Sequence, residues 1–210
     1  MPDILSRSKT ADSIKRVRQN TSYNCGPAVL EMLLSHFGVE VDQDTIVEVS
    51  GVSSKIKDYG MTVTDLARAI AVVAPEMNFW YKTNSSIGEL QEIVRNFNYP
   101  VGVNWQGIFE KEDYEEEFDG SFTDDDEGHF SVVVDVDTRN NYIKVADPYG
   151  SYAGNDRILS IVEFEKRWWD EDMEMDPVSG KRRIVFYNMT MFLVIPANID
   201  FPVDMGMTRI

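Results

Sequence analysis

The sequence predicts an α+β protein, with N-terminal helices packed on a C-terminal antiparallel sheet. Two observations lead there. The helix signals come first along the chain, and the strand signals lie mostly in its second half. The two kinds do not alternate, as a parallel βαβ sheet would require.

The first strong element is the apolar run Ala28–Phe37, with Gly38 as its stop signal. Apolar residues cover most of its circumference, which predicts a central, buried helix. A shorter helix is expected over Asp44–Val49, ending at Gly51. Three more carry the Ser/Thr-x-x-Asp/Glu signature of a capping box. Thr62 with Asp65 precedes Leu66–Val73, Ser86 with Glu89 precedes Leu90–Phe97, and Ser160 with Glu163 precedes Phe164–Trp168. Strands are expected at Ser13–Arg18, weakly, and at Phe79–Lys82, Val101–Trp105, Phe130–Val136, Tyr142–Val145 and Ile184–Ile195. The polar turn Asp137–Asn141 makes a hairpin of two of them.

The 210 residues suffice for one domain with a substantial core. Polar ends set the expected organisation: a flexible tail over residues 1–12, a single domain over 13–197, and a C-terminal tail over 198–210. A formal charge of −16 argues against binding nucleic acid or anionic membrane surfaces. No apolar run reaches the ~20 residues a membrane span needs, and Met1–Val17 lacks the apolar core of a signal peptide. These features predict a cytoplasmic protein, where a thiol stays reduced.

Cys25 is the only cysteine. It can form no intramolecular disulfide, and a structural zinc wants several Cys or His ligands. It is therefore a buried inert thiol or a reactive one. Gly26-Pro27-Ala28 follows it as if opening a helix, and proline is tolerated in a first helical turn. Unpaired N–H groups at such an end favour a thiolate. A base must then be a histidine, and there are two. His36 lies on the same predicted helix, ~16 Å away at the helical rise, and reads as a residue of the helix end. His129, at the entrance to an apolar strand, is the remaining candidate.

Asp147 ends the strand that follows, so the hairpin brings it to the same end as His129. A carboxylate there can hold one imidazole nitrogen and leave the other for sulfur. Gln19, six residues before Cys25, offers a side-chain amide that could join the Cys25 backbone N–H at a developing oxyanion. Taken singly, His129 also reads as a loop-exit residue, Asp147-Pro148 as a turn initiator, and Gln19 as a surface polar residue.

Together, the Gln-x5-Cys-Gly-Pro-Ala block, the Gly-His-Phe-x-Val-Val-Val block and the later Asp-Pro resemble the papain-like cysteine peptidases. They are most similar to the C39 (bacteriocin-processing) peptidase family and its stand-alone members. Phe164–Trp168 and the apolar run Met191–Pro196 are similar to that family's late helix and last strand, so the resemblance spans about Ile14–Pro196. It implies a papain-like fold and a cysteine peptidase with Cys25 as nucleophile, His129 as base, Asp147 as orienting acid and Gln19 as oxyanion donor. It implies a peptide or protein substrate and no cofactor or metal. Members fused to transporters cut after a double glycine and often carry Asp-Cys-Gly, where this chain has Asn24-Cys25-Gly26. The chain contains no Gly-Gly, so it cannot cut itself at such a site.

The acidic stretch over residues 110–127 lies just before His129. It reads as a solvated loop, as a calcium site without EF-hand spacing, or as a rim that attracts basic peptides and favours protonated His129. Alongside peptide hydrolysis, three other uses of the scaffold fit the residues: amidase or deamidase action, acyl transfer to an amine, and a silent binding module.

Overall fold

The computed structural model describes residues 9–109, 128–175, 179–199, 201 and 205–210. The acidic stretch 110–127 lies outside the described residues, and so do the first eight residues of the expected N-terminal tail.

Six α-helices are described: α1 (Cys25–Ser35), α2 (Gln43–Ser50), α3 (Ile56–Tyr59), α4 (Val63–Val73), α5 (Ile87–Gln91) and α6 (Ile161–Arg167). The strands are β1 (Met77–Lys82), β2 (Val101–Gln106), β3 (Gly128–Asp137), β4 (Tyr142–Ala146), β5 (Asp156–Ser160), β6 (Trp169–Met175), β7 (Arg182–Asn188), β8 (Thr190–Pro196) and β9 (Thr208–Arg209). Helices α1 to α4 precede nearly all of the sheet, so the α+β reading stands. The three capping signals all close hydrogen bonds: Thr62 on Asp65 N–H, Ser86 on Glu89 N–H and Ser160 on Glu163 N–H. Beyond α5 the chain continues as a π-helical turn, Glu92–Phe97.

Seven strands form one sheet in the order β5-β4-β3-β2-β8-β1-β9, every pair antiparallel. The predicted hairpin is the β3–β4 pair, in which Val132 faces Ala146 and Asp137 faces Tyr142. Strand side chains alternate between faces, and both faces are covered. On one, Phe130, Val132, Val134, Phe192 and Val194 meet α1, α2 and α4. On the other, Val101, Val103, Trp105, Val133 and Val145 meet the π-helical turn and α6. That is why β3 is buried along nearly its whole length. Helix α1 is the central helix the sequence predicts, with Ala28, Val29, Leu30 and Leu34 fully buried.

Four regions differ from expectation. Ser13–Arg18 is not a strand. Ile14 and Val17 are buried as the pattern suggests, but the nearby backbone is satisfied by side chains: Ser35 Oγ accepts from Lys15 N–H, and Gln43 bridges Arg18 C=O and Asn20 N–H. The expected strand Ile184–Ile195 is two strands, because Met189 takes a positive φ of 45° and its N–H turns to Trp168 C=O. The first of these, β7, pairs with β6 as a separate two-stranded ribbon. Lys9–Asp12 forms a turn of 3-10 helix, with Thr10 buried and its hydroxyl on Val94 C=O. At the other end Phe201 and Met207 are buried, and β9 pairs with β1. Residues 9–12, 201 and 205–210 therefore pack on the domain that the sequence reading bounded at 13–197.

Candidate active site

Helix α1 begins at Cys25 itself, three residues before the apolar run. Asn24 is its N-cap but makes no side-chain capping bond. Cys25 thus stands in the first turn, where backbone N–H groups have no helical acceptor. Gly26 has a steric reason. A Cβ there would lie 3.1 Å from Leu66 Cδ2 and 3.4 Å from Met61 Cβ, so glycine lets the start of α1 approach α4.

His129 is the second residue of β3, opposite Trp105 on β2. It is 2% exposed. Its Nε2 lies 2.8 Å from Asp147 Oδ1, and its side chain also hydrogen-bonds Cys25. Asp147 follows β4 at the same end of the hairpin, as the spacing predicts. Burial alone would push the His129 pKa down. The charge and hydrogen bond of Asp147 outweigh it, Cys25 adds to them, and the pKa is raised to about 10. The imidazole is therefore protonated at neutral pH, with Nε2–H donating to Asp147.

Asp147 is fully enclosed. Burial disfavours its charge, but His129, Arg157 and the Tyr149 N–H hold its carboxyl below the usual range. Oδ1 accepts from Tyr149 N–H at 3.0 Å as well as from His129, and Oδ2 accepts from Arg157 Nη1 at 2.8 Å. Arg157 comes from β5. It also donates to Ile108 C=O and lies over the Tyr152 ring, with its guanidinium carbon 3.8 Å from the ring centroid. Phe109 packs edge-on against His129 at 5.2 Å and against Tyr149 at 4.9 Å, which walls the imidazole from water.

Gln19 is placed differently from the other three. Its backbone N–H donates to Pro148 C=O at 2.9 Å, which ties it to the residue after Asp147. Its side-chain Nε2 donates to Thr21 C=O at 2.7 Å. Gln19 is not among the residues lining the cleft that holds Cys25 and His129. The structure thus joins Cys25, His129 and Asp147 in one chain of contacts and keeps Gln19 beside it. His36 is remote from this chain: it caps the end of α1, with Nδ1 2.7 Å from Ser13 Oγ.

The cleft has a volume of ≈ 590 Å³. Cys25, Tyr23 and Met61 line it from the helical side, and Gln106, His129, Tyr149 and Asp170 from the sheet and the β6 ribbon. A neighbouring hollow of ≈ 650 Å³ shares Tyr59, Gly60, Glu171 and Asp172 with it but contains neither the thiol nor the imidazole. Among the described residues no group of His, Cys, Asp and Glu is placed to hold a metal ion. No described helix is long and apolar enough to cross a membrane.

Sequence reasoning missed Arg157, Gln106 and Asp170. The signal for Arg157 is inverted: in β5 Arg157 and Leu159 face inward while Ile158 is exposed. Asp170 is hidden in a run of acidic residues, Asp170-Glu171-Asp172, that reads as solvated.

Solved structures with this fold include a double glycine motif protease from an AMS/PCAT transporter in complex with the leader peptide. It is 17% identical, with a TM-score of 0.54, covering 91% of this chain and 94% of that one. The peptidase domain of Streptococcus ComA, a bifunctional ABC transporter of a quorum-sensing pathway, is 18% identical with a TM-score of 0.52, covering 88% and 98%. A C39-like peptidase from Bacillus anthracis is 16% identical with a TM-score of 0.57, covering 89% and 96%. The architecture is thus that of the C39 papain-like peptidases. No curated protein matches the sequence. The model of the Peptidase_C39 like family matches residues 11–171, and the chain belongs to that family.

Proposed function

We propose that this protein is a cysteine peptidase that cleaves a peptide bond with Cys25, His129 and Asp147. The observation that carries the reading is the position of His129, held by Asp147 through Nε2 and hydrogen-bonded to Cys25, within one cleft.

The sulfur, as thiolate, attacks the amide carbonyl and forms a C–S bond. Negative charge moves to the carbonyl oxygen. The Cys25 N–H at the helix start is one donor for that oxygen, and Gln19 is the other once its amide, which in the resting site donates to Thr21 C=O beside the cleft, turns toward it. Imidazolium His129 gives its proton to the leaving nitrogen as the C–N bond breaks. Neutral His129 then takes a proton from water, which attacks the thioester, and the C–S bond breaks to free the acid. Asp147 keeps the ring oriented throughout.

The leader peptide bound to a structural neighbour supports a peptide substrate for this chain. Nothing in the residues carries double-glycine specificity over. The reducing environment of the cytoplasm suits a lone catalytic thiol, and we place the protein there. The test is a peptide-library digest read by mass spectrometry. Wild type should cut defined bonds, and Cys25→Ala should cut none while keeping the wild-type circular dichroism. Turnover that survives in Cys25→Ala would refute the assignment.

A further inference from the structure

On one wall of the cleft, two buried side chains present acceptors that have no counterpart in the peptidase mechanism. Gln106, the last residue of β2, is 3% exposed, and Asp170, the second residue of β6, is 6% exposed. Both line the cleft beside His129. Gln106 Nε2 donates to Asp170 Oδ1 at 3.0 Å and to Trp169 C=O at 3.4 Å. Those two bonds fix which way the amide points. Its oxygen is the free end: Gln106 Oε1 is buried and has no hydrogen-bond partner. An amide oxygen left so is costly unless something supplies a donor.

The position of Asp170 is also built in. Gln106 pairs with Gly128 across the β2–β3 ladder. A Cβ on Gly128 would lie 2.2 Å from Asp170 Oδ2 and 2.4 Å from Oδ1. Only glycine lets the carboxylate rest on the strand there, one residue before His129. Glu171 N–H donates to Oδ1 at 2.9 Å and holds it in place.

We propose that Gln106 and Asp170 form a subsite for a cationic side chain of the peptide, the ammonium of lysine or the guanidinium of arginine. A group of several N–H donors satisfies the amide oxygen and the carboxylate together. The rest of the lining agrees in charge: Asp58, Glu171 and Asp172 stand with Asp170, against Lys57 and His129. Burial raises the Asp170 pKa to about 6, the cost of a carboxylate kept out of water, and the group remains mostly charged at neutral pH. This inference rests on the peptidase reading for its substrate but not for its measurement.

The experiment compares peptides that differ at one position, lysine against norleucine and arginine against citrulline, scanned along the sequence. Two readouts are taken on the full chain: turnover, and protection of Cys25 from iodoacetamide by each peptide. Wild type should favour the cationic member roughly tenfold or more, as a close charge pair allows. Asp170→Asn keeps an acceptor for Gln106 and Glu171 and should remove that advantage. Equal protection by the cationic and neutral peptides in wild type would overturn the subsite, and so would a preference that survives in Asp170→Asn. If the variant does not fold, the wild-type comparison decides alone. Selective protection without turnover would keep the subsite and count against the peptidase reading.

Discussion

Arg157 faces the outer oxygen of Asp147, with Nη1 2.8 Å from Oδ2 and both side chains buried. The Asp147 carboxylate therefore sits between two cations, His129 on one oxygen and Arg157 on the other. Replacing Arg157 by leucine removes one partner of a buried pair, a change that costs about 3–5 kcal/mol. Urea unfolding at pH 7 should show a loss of that order. Arg157→Lys keeps the charge but loses the bond pattern to Ile108 C=O and the stacking on Tyr152, and should fall between the two. An Arg157→Leu midpoint equal to that of wild type would mean that Asp147 does not depend on this contact.

The raised pKa of His129 makes a signed prediction about stability. An unfolded histidine loses its proton near 6.5, and the folded one near 10. The folded state therefore binds the extra proton between these values. The stability it contributes is complete below pH 6.5 and is lost as the pH rises through about 10. Urea melts of wild type and His129→Gln at several pH values check this. The advantage of wild type over the variant should shrink steadily across that window, and a constant difference would show that His129 is neutral in the fold.

Asp170 shares the direction of this pH dependence, but here the fold penalises the charged form instead of favouring it. Burial lifts its pKa from 3.8 to about 6, so the folded protein holds this proton more tightly than the unfolded chain. Stability from this group falls as the pH rises from about 4 to about 6 and stays reduced above. Asp170→Asn should accordingly be more stable than wild type at pH 7, with the gain absent at pH 3.5. Thermal melts at the two pH values decide it, and a variant less stable than wild type at pH 7 would contradict this sign.

Much of this site was readable before the structure, for a physical reason. Cys25, His129 and Asp147 each stand at the end of a strongly patterned element, so the helix start and the hairpin fix their places. The capping boxes at Thr62 and Ser86 are local chemistry and were legible for the same reason. What sequence could not give depends on tertiary satisfaction. Ser13–Arg18 looked like a strand, and only Ser35 and Gln43 explain why it pairs with none. Arg157 points inward from a strand whose apolar Ile158 points out, against the usual rule of burial. The direction of the Gln19 amide, on Thr21 C=O, is likewise set by the fold of its loop and not by its spacing to Cys25.

The central claim is that His129 as imidazolium activates Cys25, and the most direct measurement is the rate of iodoacetamide alkylation against pH. The only thiol in the chain makes the readout unambiguous. At pH 6 wild type should react at least about tenfold faster than His129→Ala, because a neighbouring imidazolium favours the reactive anion. Equal rates in the two proteins at that pH would contradict the account.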